Sequence, residues 1–307
     1  MSLFPPPQDV QATVFAMLPD HFRRKAVPAA RAASGRSVPS EGCFLEGPSF
    51  DRQGNLYVTD IPFGRVFRIA PDGAWTLVAE YDGEPNGLKI HRDGRIFITD
   101  YRNGVVLLDP ASGRIAPLLE GYKAERFKGV NDLFFARNGD LYFTDQGQTG
   151  LQDPTGRVYR LRAADGRLER LADNLPSPNG LVLNGAETVL YVAVTRANAV
   201  WRLPLAPDGS VLRMGMFIQL SGGRGPDGLA MDEADGLAVA HPDMGAAWIF
   251  DHRGEPRFRV RSPRSDVVTN LAFGGPENRT LHIVDSVAGC ILTAELPTAG
   301  RRMFSHA

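Results

Sequence analysis

Cysteine is scarce in this chain, and neither sign of charge is in excess. Its 307 residues include only Cys43 and Cys290, which lack metal-type spacing and suit a reducing compartment. The 34 Lys and Arg residues nearly balance the 35 Asp and Glu residues, which gives a formal net charge of −1. This balance argues against nucleic acid or an anionic membrane as a partner, because both select basic surfaces.

Long apolar runs are lacking as well. No stretch approaches the roughly 18 apolar residues that a membrane-spanning helix needs. The N-terminal sequence MSLFPPPQDVQATVFAMLPD has no basic segment followed by an apolar run. It also contains Asp9 and Asp20, and acidic residues are rare in transit peptides. We therefore expect a cytoplasmic protein without a membrane partner.

What the sequence does contain is a recurring phrase, first seen as EGPSFDRQGNLYVTD from Glu46 to Asp60. Each copy has an acidic or amide residue, an apolar run, a turn and a second apolar run. The six copies start 40 to 48 residues apart, at Glu46, Asn86, Asn131, Asn179, Asp227 and Asn270. A period of about 45 residues with strand-like content is typical of a β-propeller.

Each repeat has room for four strands, which in the first unit are PSFD, NLYVTD, RVFRIA and TLVAE. Gly-containing turns such as Asp93-Gly94 and Asn138-Gly139 suit the tight hairpins between them. The sequence thus predicts an all-β fold, a six-bladed β-propeller with four strands per blade. We expect a single domain over residues 1–307, with a closing segment at 1–45 and blades starting near 46, 86, 131, 179, 227 and 270.

The last repeat is one strand short. After Asn270 only NLAFGG, TLHIVD and CILTAEL fit as strands, and the tail GRRMFSHA is a poor fourth. The N-terminal run from Ala12 to Leu18 is a good strand. We expect it to complete the sixth blade and to close the ring, which would remove an exposed sheet edge.

The leading residues of the six copies predict a metal site. The first strand of each propeller blade lines the central channel, so equivalent residues face one another across it. Two leading residues are carboxylates, Glu46 and Asp227, and the others are amides with carbonyl oxygens. Such an oxygen set suits Ca²⁺, Mg²⁺ or Mn²⁺. Asn-Gly and Asp-Gly are also common turn dipeptides, and this alternative stays open above all for Asn86 and Asn270.

The second strand of each blade should end on the same face of the ring, mostly in an Asp that caps the following turn. His241 occupies that place in the fifth unit and is a candidate proton carrier or substrate-binding residue. Two long segments should also reach this face, Glu120–Val130 and Gln146–Gly156. Long ordered loops are usually functional, so we expect both to wall a substrate pocket, with Gln146 and Asn86 among the substrate-binding residues.

Four phrases, FLEGPSFDRQGNLYVTDI, GVNDLFFARNGDLYFTD, SPNGLVLN and GPDGLAMD, resemble the gluconolactonase, regucalcin and luciferin-regenerating-enzyme family. The resemblance covers about Phe44 to Pro297. It implies that Glu46, Asn179 and Asp227 hold one catalytic divalent metal. It further implies that Asn131 binds metal or substrate. Regucalcin-like members carry an Arg two residues before this Asn, whereas this chain has Gly129.

This resemblance implies a divalent-metal-dependent hydrolase that opens a small lactone to a hydroxy acid. Ca²⁺ is the favoured cofactor, with Mg²⁺, Mn²⁺ or Zn²⁺ as alternatives. Asp227 would orient or deprotonate the attacking water while also serving as a ligand. One alternative function is a non-catalytic calcium-binding propeller scaffold, which predicts a flat metal face. Another is phosphotriester hydrolysis at the same site, since the related diisopropyl fluorophosphatase uses a similar Glu, Asn, Asn and Asp set.

Overall fold

Twenty-seven strands lie in the part of the chain that the computed structural model describes, residues 5–25 and 42–306. From the N-terminus to the third blade they are β1 (Gln8–Gln11), β2 (Thr13–Met17), β3 (Leu45–Phe50), β4 (Leu56–Asp60), β5 (Arg65–Ile69), β6 (Trp75–Glu80), β7 (Pro85–Ile90), β8 (Ile96–Asp100), β9 (Gly104–Asp109), β10 (Arg114–Leu119), β11 (Gly121–Tyr122), β12 (Glu125–Arg126), β13 (Val130–Phe135), β14 (Leu141–Asp145), β15 (Gly156–Leu161) and β16 (Leu168–Leu175).

The remaining strands belong to the fourth, fifth and sixth blades. They are β17 (Pro178–Leu183), β18 (Val189–Val194), β19 (Ala199–Pro204), β20 (Gly215–Gln219), β21 (Leu229–Met231), β22 (Leu237–His241), β23 (Ala246–Phe250), β24 (Pro256–Arg261), β25 (Val268–Gly274), β26 (Thr280–Asp285) and β27 (Cys290–Glu295). The described residues also form short 3₁₀ turns at Asp20–Phe22, Ile61–Phe63, Thr195–Ala197 and Phe304–His306. Among them no helix is long and apolar enough to span a membrane.

Six antiparallel sheets form the ring, which confirms the predicted six-bladed β-propeller. In the first four blades the strands follow one another outwards in chain order from an innermost strand at the channel, whereas the fifth and sixth blades add an N-terminal strand at their outer edge. The innermost strands β3, β7, β13, β17, β21 and β25 contact their neighbours around the ring. The apolar side chains pack between adjacent sheets, as in the cluster that joins Leu88 and Ile98 of the second blade to Val66 of the first.

The hairpin turns follow the expected glycine chemistry. Gly94 has a φ of +92° and Gly139 has a φ of +89°. An L-residue with a side chain rarely adopts this left-handed backbone, whereas Gly does so without steric penalty. The Asp-Gly and Asn-Gly pairs between the first and second strands therefore mark true turns.

The N-terminus closes the ring as expected. Strand β2 pairs antiparallel with β27, with Thr13 opposite Thr293 and Met17 opposite Cys290. The sequence did not predict that β1 adds a fifth strand to the neighbouring blade, parallel to β24. The N-terminal strands β1 and β2 thus link the fifth blade to the sixth. Of the predicted closing segment, residues 1–4 and 26–41 lie outside the described residues.

The C-terminal tail crosses the end of the channel where the innermost strands finish. Arg301 Nη1 donates hydrogen bonds to the carbonyl oxygens of Leu183 and Asn184, at 2.8 and 2.7 Å. The ring of Phe304 stacks on Phe135, with 5.1 Å between the ring centroids. The tail is therefore a cap over one channel mouth rather than a strand, and the leading residues of the blades lie at the opposite mouth.

Candidate active site

The leading residues sit at β-bulges near the beginning of the innermost strands. The pairing register shifts between Glu46 and Ser49 in β3 and between Pro178 and Leu181 in β17, and equivalent shifts occur in β7, β13 and β25. A bulge re-aims a side chain, and here it directs the leading residue to the channel mouth. Asn86 and Asn179 thus lie inside strands, and their interpretation as turn residues is wrong.

The glycine after a leading residue is required by close approach of the next blade. A Cβ atom at Gly47 would lie 2.4 Å from the carbonyl oxygen of Asn86. At Gly180 it would lie 2.5 Å from the carbonyl oxygen of Asp227. Both distances are far below van der Waals contact, so a side chain here would push the innermost strands apart. The absence of a side chain at these glycines therefore allows neighbouring leading residues to lie close together.

A threonine from the second strand ties each of several blades to the next. Its hydroxyl donates to the backbone carbonyl of the next leading residue: Thr59 to Asn86 at 2.6 Å, Thr99 to Asn131 at 2.5 Å and Thr144 to Asn179 at 2.8 Å. The following Asp can cap the next turn, as expected, since Asp100 Oδ1 accepts from the backbone N–H groups of Arg102 and Asn103 at 2.9 Å. Asp145 instead accepts from the Gly129 N–H, just before β13, at 2.8 Å. The Thr-Asp pair at the end of the repeated motif thus fixes the backbone around the channel mouth by hydrogen bonds.

Five of the six leading residues line one cavity of about 680 Å³ at this mouth: Glu46, Asn86, Asn131, Asn179 and Asp227. Glu46 is only 3% exposed, whereas Asp227 is half-buried. The Asp227 backbone N–H donates to the Ala240 carbonyl oxygen at 3.0 Å, which fixes this residue just before β21. The geometry brings both predicted carboxylates and three of the predicted amides into one space.

The sixth leading residue, Asn270, lies behind this cavity and links two buried acids. Its Nδ2 donates to Glu46 Oε2 at 2.8 Å and to Asp132 Oδ2 at 3.4 Å. Burial raises the pKa of Glu46, and the nearby negative charge of Asp132 raises it further. Burial also raises the pKa of Asp132, and the positive charge of Lys89 opposes this shift. The structure thus places a second acid, which the sequence pattern missed, beside Glu46.

The two central amides are oriented by their nitrogen atoms. Asn131 Nδ2 donates to Gln146 Oε1 at 2.8 Å, and Gln146 Nε2 donates to Ser177 Oγ at 3.0 Å. Asn179 Nδ2 donates to Thr195 Oγ1 at 3.3 Å. Because the nitrogen and oxygen of an amide point in different directions, these bonds fix where each carbonyl oxygen points. The arrangement suits two oxygen donors held beside two carboxylates.

The donor set fits a hard divalent cation. Glu46, Asp132 and Asp227 bring three carboxylates near the channel axis, and Lys89 offsets one of their charges. A bound M²⁺ would balance negative charge in this buried place, and burial raises the pKa of Glu46 because it removes that carboxylate from water. The described residues contain no cluster of three or more His, Cys, Asp and Glu side chains suited to a metal. A metal here would therefore need the amide oxygens, as Ca²⁺ sites often do.

Comparison with known proteins agrees with this geometry. Residues 44–286 match the family described as the SMP-30/Gluconolactonase/LRE-like region. The chain belongs to this family. It is 30% identical over 240 residues to lactonase drp35 of Staphylococcus aureus strain MRSA252, which covers 75% of this chain and 73% of that protein. Lactonase drp35 of Staphylococcus epidermidis is 29% identical over 239 residues, with the same coverage.

Solved structures of family members have the same fold. A gluconolactonase from Xanthomonas campestris superposes with a TM-score of 0.74 at 26% identity, covering 83% of this chain and 86% of that one. A calcium-binding regucalcin from Agrobacterium tumefaciens gives a TM-score of 0.75 at 21% identity, covering 97% of this chain and 98% of that one. The second likeness establishes the fold alone.

Gly129 marks where this chain departs from the regucalcin-like pattern in its family. Its φ is +143°, and a Cβ atom there would lie 2.3 Å from the Tyr101 ring. The Tyr101 hydroxyl accepts a hydrogen bond from Gln148 Nε2 at 3.0 Å. The place of the expected arginine is thus filled from the neighbouring blade, and any side chain at position 129 would displace that ring.

His241 is not brought to the cavity, which corrects its expected place among the substrate-binding residues. Its side chain is 1% exposed, Nδ1 accepts from Trp248 Nε1 at 3.2 Å, and Nε2 lies 3.1 Å from the Gly222 carbonyl oxygen. Burial lowers the pKa of this imidazole. The neutral ring therefore accepts at Nδ1 and donates at Nε2, which anchors the loop before Asp227.

Only one of the two long segments walls the cavity. Gln146 and the residues up to Gln152 line it, as expected for the segment Gln146–Gly156. The expectation is wrong for Glu120–Val130, which contains the β11–β12 hairpin and packs against β14 and β15 of the third blade. Its aromatic residues decide this placement: Tyr122 packs on Tyr159 and Phe127 packs on Phe143, both at 5.4 Å between ring centroids.

Three charged residues near the site were missed at the level of sequence. Asp132 follows a leading residue, at a place where most other repeats have Gly. Arg196 and Arg224 line the cavity from the fourth and fifth blades, outside the repeated phrase. The available signals were the broken Asn-Gly pattern at Asp132 and the position of Arg196 directly after a second strand.

Proposed function

We propose that this protein is a divalent-metal-dependent lactonase that opens a small cyclic ester to a hydroxy acid. The observation that carries the proposal is the convergence of Glu46, Asn131, Asn179 and Asp227 at the floor of one cavity. The family contains proteins named lactonase and gluconolactonase, which supports this reaction class. The scaffold alternative predicted a flat face, and a cavity of about 680 Å³ favours an enzyme instead.

Glu46, Asn131, Asn179 and Asp227 would hold the cation, with Ca²⁺ favoured by the all-oxygen donor set. When bound, the cation would polarise the ester carbonyl and stabilise the negative charge that develops on its oxygen. Asn270 keeps Glu46 in place through the bond to Oε2. Gln146 holds the Asn131 amide in one orientation, and Asn86 and Gln146 offer amide groups to the substrate from the cavity wall.

Asp227 is the proposed base. It is the less buried of the two cavity carboxylates, so water can reach it, and its backbone is fixed at the cavity floor. The oxygen of a water molecule adds to the carbonyl carbon while Asp227 takes one of its protons. The ring carbon–oxygen bond then breaks, and the ring oxygen takes the proton from Asp227 to become the hydroxyl of the product. The new carboxylic acid releases its own proton to water, so the product is a carboxylate that carries a hydroxyl group.

The test is a pH-drop assay on a panel of lactones, run on protein treated with EDTA and on the same protein after Ca²⁺ is restored. Ca²⁺ binding is measured in parallel by calorimetry, which reports on the site without any turnover. We expect hydrolysis that is lost with EDTA and recovered with Ca²⁺. Binding without hydrolysis of any lactone would favour the scaffold. A phosphotriester in the same panel tests the remaining alternative, and hydrolysis of that compound alone would overturn the lactonase proposal.

A further inference from the structure

Two arginines stand on the wall of the cavity above its acidic floor. Arg196 lies in the 3₁₀ turn Thr195–Ala197 that follows β18, and Arg224 lies in the loop between β20 and β21. Both side chains are exposed at the mouth. Among the described residues that line the cavity, the only other charged side chains are Glu46 and Asp227.

The two guanidinium groups differ in their partners. Arg224 pairs with Asp243, with Nη2 at 2.9 Å from Oδ1 and Nε at 3.3 Å from Oδ2, so its charge is already balanced. Arg196 has no side-chain hydrogen bond or ion pair with any residue in the ranges 5–25 and 42–306. As far as the described residues go, Arg196 therefore contributes a positive charge with no paired carboxylate to the mouth of the cavity.

The turn that carries Arg196 is fixed at both sides. Its backbone N–H donates to the Pro176 carbonyl oxygen at 3.3 Å, and the preceding Thr195 hydroxyl donates to the Pro226 carbonyl oxygen at 2.8 Å. Asn198 ends the turn in the left-handed conformation, with a φ of +50°. The guanidinium thus extends from a rigid base, which reduces the entropy lost when it binds a ligand.

The wall that the third blade contributes has a different character. Gln148, Leu151 and Gln152 line it, which provides amides and an apolar side chain but no charge. The cavity of about 680 Å³ is also much larger than a bare lactone ring, so a substituent can extend from the floor towards the mouth. The mouth thus presents a guanidinium from the fourth blade and neutral groups from the neighbouring third blade.

We propose that Arg196 is a specificity-determining residue that binds a carboxylate substituent on the lactone. This inference rests on the proposed lactonase function and names the substrate class that the site prefers. Once a cation balances the acids on the floor, the charge of Arg196 gives the cavity a net positive charge. This net charge favours an anionic substrate. A planar guanidinium matches a carboxylate through two parallel hydrogen bonds, a geometry that a hydroxyl group cannot reproduce.

The test compares two lactones that share one ring, γ-carboxy-γ-butyrolactone and its carboxamide. They differ in one charge, so the ratio of their kcat/KM values isolates recognition of the carboxylate. We expect the protein to prefer the carboxylate by about 10- to 100-fold, the range of a hydrogen-bonded charge pair. The preference should lie mainly in KM, because Arg196 acts at the mouth and not on the reacting atoms.

Arg196→Gln should remove this preference, because it should lower kcat/KM for the carboxylate far more than for the carboxamide. Arg196→Lys should retain part of it, because an ammonium keeps the charge but loses the paired hydrogen bonds. Arg253→Gln is the matched control, since Arg253 is exposed on a turn outside the cavity lining. Equal losses on both lactones in Arg196→Gln would overturn the inference.

A binding measurement separates this inference from the lactonase proposal. Pyroglutamate and pyroglutamide are the lactam counterparts of the two lactones, and calorimetry with Ca²⁺ present measures their affinities without ring opening. Tighter binding of pyroglutamate that Arg196→Gln abolishes supports the inference even if neither lactone is hydrolysed, in which case the lactonase proposal alone fails. Equal affinity for the two lactams, or a preference that survives in Arg196→Gln, overturns it.

Discussion

The side-chain amide of Asn270 donates a hydrogen bond to Glu46 Oε2 at 2.8 Å and so joins the last blade to the first at the channel. The two residues are 224 positions apart in the chain, yet both are buried. The bond holds the carboxylate that the proposed cation needs most. It also distinguishes Asn270 from the other leading residues, because Asn270 bonds to the proposed ligand Glu46 from behind the cavity while the other five line it.

Glu46→Gln should weaken Ca²⁺ binding by about 100-fold or more, since cation affinity depends on the number of charged ligands. The substitution keeps the size of the side chain and an oxygen that can still accept from Asn270. The fold should therefore survive, and removal of a buried charge with a raised pKa should not lower the stability of the metal-free protein. Calorimetric Ca²⁺ titration and thermal unfolding measure the two effects.

Glu277→Gln serves as the control for Glu46→Gln, because its side chain is 82% exposed on a distant turn. It should bind Ca²⁺ as the parent protein does. A Glu46→Gln protein with the parent's affinity for Ca²⁺ and the parent's activity would refute the site.

Asp227→Asn should lower kcat more than it lowers Ca²⁺ affinity. Asparagine keeps an oxygen ligand but cannot take a proton from water, and loss of a general base typically reduces the rate by about 10²- to 10⁴-fold. Measurement of kcat at saturating Ca²⁺ separates the two roles. If the decline in rate only follows the decline in bound Ca²⁺, Asp227 is a ligand and not the base.

The repeat pattern was sufficient to predict the blades because every blade packs its apolar side chains against two neighbouring blades in the same way. A strand, a turn and a strand recur at one spacing, so equivalent residues such as Glu46 and Asp227 must lie at the same end of the channel. Closure by β2 was also predictable, since the last repeat lacks a strand and an unpaired edge is unfavourable. These features depend on local pattern and on ring symmetry.

Contacts that break the symmetry could not be predicted in the same way. Asp132 stands where most repeats have Gly, and its approach to Asn270 depends on the bulges of two distant blades. His241 occupies the place of an Asp, but the nearby Trp248 engages its ring away from the cavity. The short polar strand β1 carries no apolar pattern, and an ion pair between Asp9 and Arg259 at 2.6 Å accompanies its pairing with β24.

Deletion of residues 1–18 should lower the melting temperature sharply and promote aggregation. It removes β2 from β27 and β1 from β24, which exposes two sheet edges at once. It also removes Leu18, which is 2% exposed in the core beside Phe67 and Ile291. Thermal unfolding and light scattering measure both effects, and an unchanged melting temperature would contradict the closing role.

A matched pair of point variants tests the same closure without truncation. Leu18→Ala should reduce the free energy of unfolding by about 2 to 5 kcal/mol, because it leaves a cavity in a packed core. Met17→Ala, at an adjacent residue that is 36% exposed, should cost less than about 1 kcal/mol. Equal effects of the two substitutions would mean that the strand lies on the surface without sealing the core.

Protonation of His282 should lower the free energy of unfolding as the pH falls from 6.5 to 4. The imidazole is 6% exposed, its ring packs edge-on against Phe50 at 4.8 Å, and burial lowers its pKa to about 4. The folded-state pKa lies below the unfolded value of 6.5, so the stabilisation is fully present above pH 6.5 and is lost as the pH falls through the folded-state value. A shift of this size corresponds to about 3 kcal/mol.

Comparison of the parent with His282→Gln isolates this contribution from the buried carboxylates, whose raised pKa values act in the opposite direction. The free energy of unfolding, measured by denaturant titration between pH 6.5 and 4, should decline less in His282→Gln than in the parent. His252→Gln is the control, because His252 is exposed on a hairpin turn and its replacement should leave the parent's pH dependence unchanged. Glutamine does not titrate, so the variant lacks the pH-dependent cost of protonating a buried imidazole. Parallel pH profiles for the parent and His282→Gln would therefore show that this ring does not govern stability in acid.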